Sequence, residues 1–178
     1  MPALYVVRHA EPQISGVLCG QFDPPLNAAG LEMARETLSA LRIPHCPIYT
    51  SPLQRAKQTA CQIYPWPIIV RDLAEISYGD WDGLSWRDIE DRWPDLAAAK
   101  LSDWPRVTPP GGEPWECFRD RVQSALDRIL AGPLPAIIVA HEAVNAIIGN
   151  RLVDSSIEKY KQHYCEIKKY DTSPDCKP

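Results

Sequence analysis

Leu4-Tyr5-Val6-Val7 runs straight into Arg8-His9, and Ala136-Ile137-Ile138-Val139-Ala140 runs straight into His141. Each is an apolar run of strand length that ends on a histidine. A third run, Ile48-Tyr49-Thr50, is followed by Ser51-Pro52-Leu53-Gln54-Arg55. Apolar residues recur at helical spacing between these runs, as Leu31, Ala34, Leu38 and Leu41, then as Leu53, Ala56, Ala60 and Ile63. Repeated strand–helix alternation predicts an α/β domain with a mostly parallel sheet. Ligands bind such sheets outside the carboxyl ends of the strands. Two histidines and two arginines, Arg8 and Arg55, are thereby delivered to one edge. Strand order does not follow from the pattern.

Outward from these runs, Asn27 is a good N-cap for the helix after the first strand, and Pro44 ends it. Ser51-Pro52 reads as an N-cap followed by proline at the first helical position. Ile68-Ile69-Val70 forms another strand. Residues 72–114 are the least regular part and, with Trp115, hold Trp81, Trp86, Trp93 and Trp104. They read as an insertion with one or two short helices over the active edge. Trp115, Phe118, Val122, Leu126 and Ile129 mark an amphipathic helix that Gly132-Pro133 stops. Ala143–Leu152 reads as a helix, His163–Tyr170 as a last edge strand, and 171–178 as a frayed tail. The expected organisation is one domain over 1–170.

The 178 residues suffice for one core, and no stretch approaches the length that spans a bilayer. A net charge of −4 with scattered basic residues argues against a nucleic-acid footprint. It leaves room for a local basic pocket and an anionic small substrate. The start of the chain has no charged segment followed by a long apolar one, so no secretory signal and a cytoplasmic location are expected. The six cysteines form no C-x-x-C pair and match no zinc spacing, so free thiols and no metal are expected. Cys61 and Cys117 fall in helical patterns and are expected to be small buried apolar residues.

Arginines match phosphate oxygens through paired N–H groups. A neutral histidine can attack phosphorus and hold the phosphoryl group, and a second, if protonated, can add positive charge. A protonated carboxylic acid must then supply the leaving group's proton. Arg8 and Arg55 are the natural clamp, and either His9 or His141 could be the nucleophile.

Arg8-His9-Ala10-Glu11 resembles the Arg-His-Gly-Glu signature of the histidine phosphatase superfamily, the phosphoglycerate mutase-like proteins. Asp23-Pro24-Pro25-Leu26-Asn27-x-x-Gly30, Ser51–Ala60, Glu75-x-x-Tyr78-Gly79-x-Trp81-Asp82-Gly83, Pro110-Gly111-Gly112-Glu113 and Val139-Ala140-His141 resemble its further segments, in order. The resemblance implies a three-layer α/β/α sandwich and a metal-independent phosphomonoester hydrolase with no cofactor. It assigns His9 as the phosphorylated nucleophile, Arg8, Arg55 and His141 to the phosphoryl group, and Glu75 as general acid and then base. The chain's length resembles that of the smaller phosphatases of the family. The rival readings are a phosphoglycerate mutase and a catalytically weak phosphate-binding member.

Four positions depart from the family pattern. Ala10 replaces a glycine, and Pro12 replaces a hydroxyl residue. Ser15 stands where many members have Asn, and Glu142 follows His141 where this branch usually has Gly. Ser15 and Glu142 are expected to touch substrate, and Glu142 is a rival acid to Glu75. Glu113 either caps the following helix or touches substrate, and His45 and His163 are expected to be structural or exposed. Lys57 and Arg106 read as surface charges that could reach a second anionic group. The tryptophans read as core and lid packing, or as an apolar wall against the leaving group. The oligomeric state stays open, a homodimer among the options.

Overall fold

The computed structural model describes residues 2–41, 43 and 46–173. Alternation along the strands sends side chains to both faces of the sheet, and both faces are buried. Five strands form it: β1 (Ala3–Arg8), β2 (Ile48–Thr50), β3 (Ile68–Ile69), β4 (Ala136–Ala140) and β5 (Ile167–Asp171). Their order is β3-β2-β4-β1-β5. β1, β2, β3 and β4 pair in parallel, and β5 is antiparallel to β1. The carboxyl ends of β1, β2 and β4 therefore share one edge, and β5 begins at that edge.

The helices are α1 (Ala28–Leu38), α2 (Gln54–Ala60), α3 (Trp86–Arg92), α4 (Pro94–Ser102), α5 (Trp115–Leu130) and α6 (Glu142–Val153). On one sheet face, Leu4, Val6, Ala136 and Ile138 pack with Phe118, Val122 and Leu126 of α5 and Ile147 and Ile148 of α6. On the other, Val7, Ile48, Ile137 and Val139 pack with Ala34 and Leu38 of α1 and Ala60 of α2. This is the expected three-layer α/β/α sandwich with a mostly parallel sheet. Residues 72–114 contribute the two short helices α3 and α4, whose core is Trp81, Ile89 and Ala97 with Trp86 and Trp93 against it.

Several elements differ from the sequence reading. α2 starts at Gln54, with Leu53 at its N-cap, and not behind a Ser51 cap. The Ser51 hydroxyl accepts from the Leu53 N–H two residues on and meets His141, so it shapes a turn. α1 gives way to a short 3₁₀ turn at Ser39–Leu41. Pro44 and His45 lie outside the described residues. Cys61 and Cys117 are exposed, not buried. Cys117 sits one position off the stripe that begins at Phe118, and Cys61 closes α2. Asp171 belongs to β5, and residues 174–178 of the expected tail lie outside the described part. No helix among the described residues is long and apolar enough to cross a membrane.

Candidate active site

β1 ends by presenting His9, whose backbone N–H donates to Ala140 O at 2.9 Å and so ties it to the end of β4. Its ring Nδ1 lies 2.7 Å from the Ala10 carbonyl oxygen. A carbonyl only accepts, so the proton sits on Nδ1 and the lone pair on Nε2. Burial, with the charges of Arg55 and Arg8, lowers the His9 pKa to about 3, so the ring is neutral near pH 7. The geometry thus presents one free nucleophilic nitrogen.

His141 lies beside it, with ring centroids 5.1 Å apart. Its Nε2 is 2.7 Å from Ser51 Oγ. That oxygen accepts from Leu53 N–H and can also donate its own proton to His141 Nε2, in which arrangement the ring proton of His141 sits on Nδ1. Burial and the neighbouring arginines push the His141 pKa well down. The ring is therefore neutral near pH 7 and not the imidazolium that the sequence left open.

Arg55, 1% exposed, departs from a simple phosphate fork. Its Nη1 donates to Phe22 O and Asp23 Oδ1, and its Nη2 to Cys19 O and Gly20 O. The fork holds loop 19–23, and its Nε–H remains. Arg8 Nη1 donates to Gln162 O at 2.6 Å and forms an ion pair with Glu142 Oε2 at 3.0 Å, and its guanidinium lies 4.5 Å over the Tyr164 ring. Arg8 Nε, Arg55 Nε and His141 Nδ1 are buried and have no hydrogen-bond partner among the described residues. Each buried unpaired donor costs roughly 1–3 kcal/mol. An oxyanion beside His9 would satisfy such donors together.

Glu75 is buried, and burial raises its pKa. Oε1 accepts from Ile76 N–H at 3.0 Å and Oε2 from Ala143 N–H at 3.4 Å. Arg121 of α5 fixes the segment around it, donating to the carbonyls of Asp72, Ala74 and Glu75. Glu113 holds that guanidinium bidentately at 2.6 and 2.7 Å. Glu113 is thus neither helix cap nor cavity residue. Gly79 allows the same loop to close, since a Cβ there would stand 2.2 Å from Pro110 O.

A cavity of about 610 Å³ is lined by Arg8, His9, Ser15, Glu75 and Glu142 among others, whereas Arg55 and His141 are buried and are not part of its lining. Ser15 is exposed at its margin. Glu142, first residue of α6, pairs with Arg8 and accepts from Gln162 N–H. Lys57, Arg106 and His163 do not line the cavity, whereas Lys161 does. Trp104 and Trp115 line it; Trp81, Trp86 and Trp93 belong to the insertion's own core. Core packing therefore describes Trp81, Trp86 and Trp93, while Trp104 and Trp115 are placed at the cavity. Ala10 is fully buried among Leu26, Ala34 and the second sheet face, so its methyl occupies core and not the cavity.

Sequence reasoning missed the residues that hold these groups in place. Thr59 Oγ1 accepts from Ala10 N–H and donates to Arg55 O, and Gln58 Oε1 accepts from Leu26 N–H. The buried Gln162 donates to Val6 O and Glu166 O and accepts from Asn145 and Tyr160. Tyr164 stands 5.6 Å from His9, ring to ring. The Ser51–Ala60 motif carried a signal for Ser51, Gln58 and Thr59. Nothing in spacing marked Gln162, Tyr164 or Arg121.

The chain is 28% identical over 164 residues to the adenosylcobalamin/alpha-ribazole phosphatase of Escherichia coli, covering 87% of this chain and 81% of that one. It is 32% identical over 165 residues to the metal-independent phosphoserine phosphatase of Arabidopsis thaliana, covering 86% and 69%. The solved alpha-ribazole phosphatase of Shigella flexneri superposes with a TM-score of 0.86 at 25% identity, over 97% of this chain and 91% of that one. The family model described as histidine phosphatase superfamily (branch 1) matches residues 4–177. The chain belongs to the histidine phosphatase superfamily, branch 1.

Proposed function

We propose that His9 is the nucleophile of a metal-independent phosphomonoester hydrolase, with Glu75 as its acid and base. The chain is a phosphatase for a small phosphate ester, as its family and relatives are. The observation that carries the assignment is the free Nε2 of His9 among three unpartnered buried donors, Arg8 Nε, Arg55 Nε and His141 Nδ1. These donors match the oxygens of a transferring phosphoryl group.

In the first step His9 Nε2 forms a bond to phosphorus as the P–O bond to the leaving group breaks. Glu75, whose pKa burial raises, gives its proton to the leaving oxygen. In the second step Glu75 takes a proton from water, whose oxygen attacks phosphorus. The P–N bond breaks, inorganic phosphate leaves, and His9 returns to its neutral form. Glu142 is committed to Arg8 through their ion pair, which favours Glu75 as the acid. The free thiols of Cys19, Cys46, Cys61, Cys117 and Cys165 suit a reducing, cytoplasmic setting.

Phosphate release across a panel of phosphomonoesters, with EDTA present, tests the reading on wild type and His9→Ala. Release by wild type and its loss in the variant is the expected result. Normal activity in His9→Ala would overturn the nucleophile. Absence of release together with dependence on a bisphosphorylated primer would indicate a mutase.

A further inference from the structure

Lys100, in the last turn of α4, is only 3% exposed. Its Nζ donates to Trp104 O and Val107 O, each at 2.5 Å, and lies 4.9 Å from the Trp104 ring centroid. An ammonium in such a place is costly unless its donors are bonded, and an apolar side chain would fill it without that cost. Burial has lowered its pKa to about 8, with Asp103 acting the other way. The catalytic scheme makes no use of this charge.

The turn it grips is part of the cavity. Trp104 and Pro105 line the same space as His9 and Glu75. The other bonds of this turn to Asp103 stay within it: Val107 N–H donates to Asp103 O and Arg106 N–H to Asp103 Oδ1, both at 3.3 Å. Asp103 N–H ties the start of the turn to Ala99 O of α4 at 3.0 Å, and Lys100 is the side-chain tie that fastens the carbonyls of Trp104 and Val107 to the same helix. The Trp104 ring packs 5.9 Å from Trp86 and meets Tyr78 edge-on at 6.3 Å, and Tyr78 lines the cavity too. Ile14, Val17, Leu18 and Trp115 supply further apolar lining.

We propose that Lys100 is a positioning residue for the leaving-group wall: by fixing the Trp104 turn it sets a preference for phosphomonoesters with a large apolar leaving group over small polar ones. The inference rests on the phosphatase reading above. It concerns Trp104 and Pro105 in the cavity lining, neither of which is among the phosphoryl donors.

The experiment compares wild type, Lys100→Met and Lys100→Arg on 1-naphthyl phosphate and on glycerol 3-phosphate. Amide exchange over residues 103–108 is followed in parallel. Lys100→Met raises KM for the naphthyl ester about tenfold, leaves its kcat, and moves KM for glycerol 3-phosphate less than about twofold. Exchange over 103–108 accelerates, and Lys100→Arg, which keeps donors, recovers part of both effects. If Lys100→Met does not fold, Trp104→Ala, at an exposed ring, must raise the naphthyl KM by a similar factor. Equal losses on both esters, an unchanged naphthyl KM, or unchanged exchange would overturn the proposal. If wild type hydrolyses neither ester, the phosphatase reading fails on its own. The wall is then judged by equilibrium binding of 1-naphthyl phosphate, which Lys100→Met weakens if the tie matters and leaves alone if it does not.

Discussion

Glu75 and Glu142 differ in one respect that decides their chemistry. Glu75 is enclosed and burial raises its pKa, whereas Glu142 sits at the cavity margin against a guanidinium. A proton donor matters most when the leaving oxygen is a poor one. Glu75→Gln is therefore expected to lower kcat on alkyl phosphates by roughly 10²–10⁴, and far less on p-nitrophenyl phosphate. Since the raised pKa is that of the acid form used in the first step, wild-type kcat on alkyl esters falls as pH rises through it. The variant lacks that alkaline limb. Glu142→Gln is expected to raise KM with kcat largely retained, because it releases Arg8. A large kcat loss confined to Glu142→Gln would move the acid to that residue.

At the scale of elements, α5 does more than cover the sheet. Its inner stripe of Phe118, Val122, Leu126 and Ile129 was legible from periodicity alone. Arg121 lies off that stripe, and its task, holding the carbonyls of residues 72, 74 and 75, exists only once the loop has folded onto the helix. Arg121→Met leaves Glu113 and those carbonyls unpaired, and is expected to cost about 3 kcal/mol in denaturant unfolding. It should also depress kcat by loosening Glu75. A variant with wild-type stability and kcat would show that the loop holds itself. The start of α2 was misread for a related reason. Ser51 has the chemistry of a cap, but its hydroxyl is drawn to His141, ninety positions away in the chain and invisible to local rules.

Over the whole molecule, three apolar clusters divide the stabilisation: one on each sheet face and one within residues 72–114. The third is small and joined to the rest through loops, so it is expected to open before the sheet does. Trp81→Ala removes its largest fully buried side chain, a change of roughly 3–5 kcal/mol within a core. Amide exchange should rise over α3 and α4 while β1 and β4 keep their protection; a uniform rise would show a single cooperative unit. The fold class, both histidines, both arginines and Glu75 were legible because strand ends and short motifs are local. Strand order and the anchoring by Gln162, Tyr164 and Lys100 were not, because they arise from chain segments that meet only in three dimensions.

The strand order has a consequence for how the protein is made. β1 is synthesised first, yet its neighbours in the sheet are β4 and β5, both near the other end of the chain. While a ribosome is still extending the chain, Leu4, Val6 and Val7 have no strand to lie against, and His9 has no Ala140 carbonyl to hold it. Long-range pairing of this kind is slow and leaves an apolar strand exposed meanwhile. The His9 site is therefore expected to form only once β4 has emerged to pair with β1, so a nascent chain halted before β4 is expected to show no phosphate release.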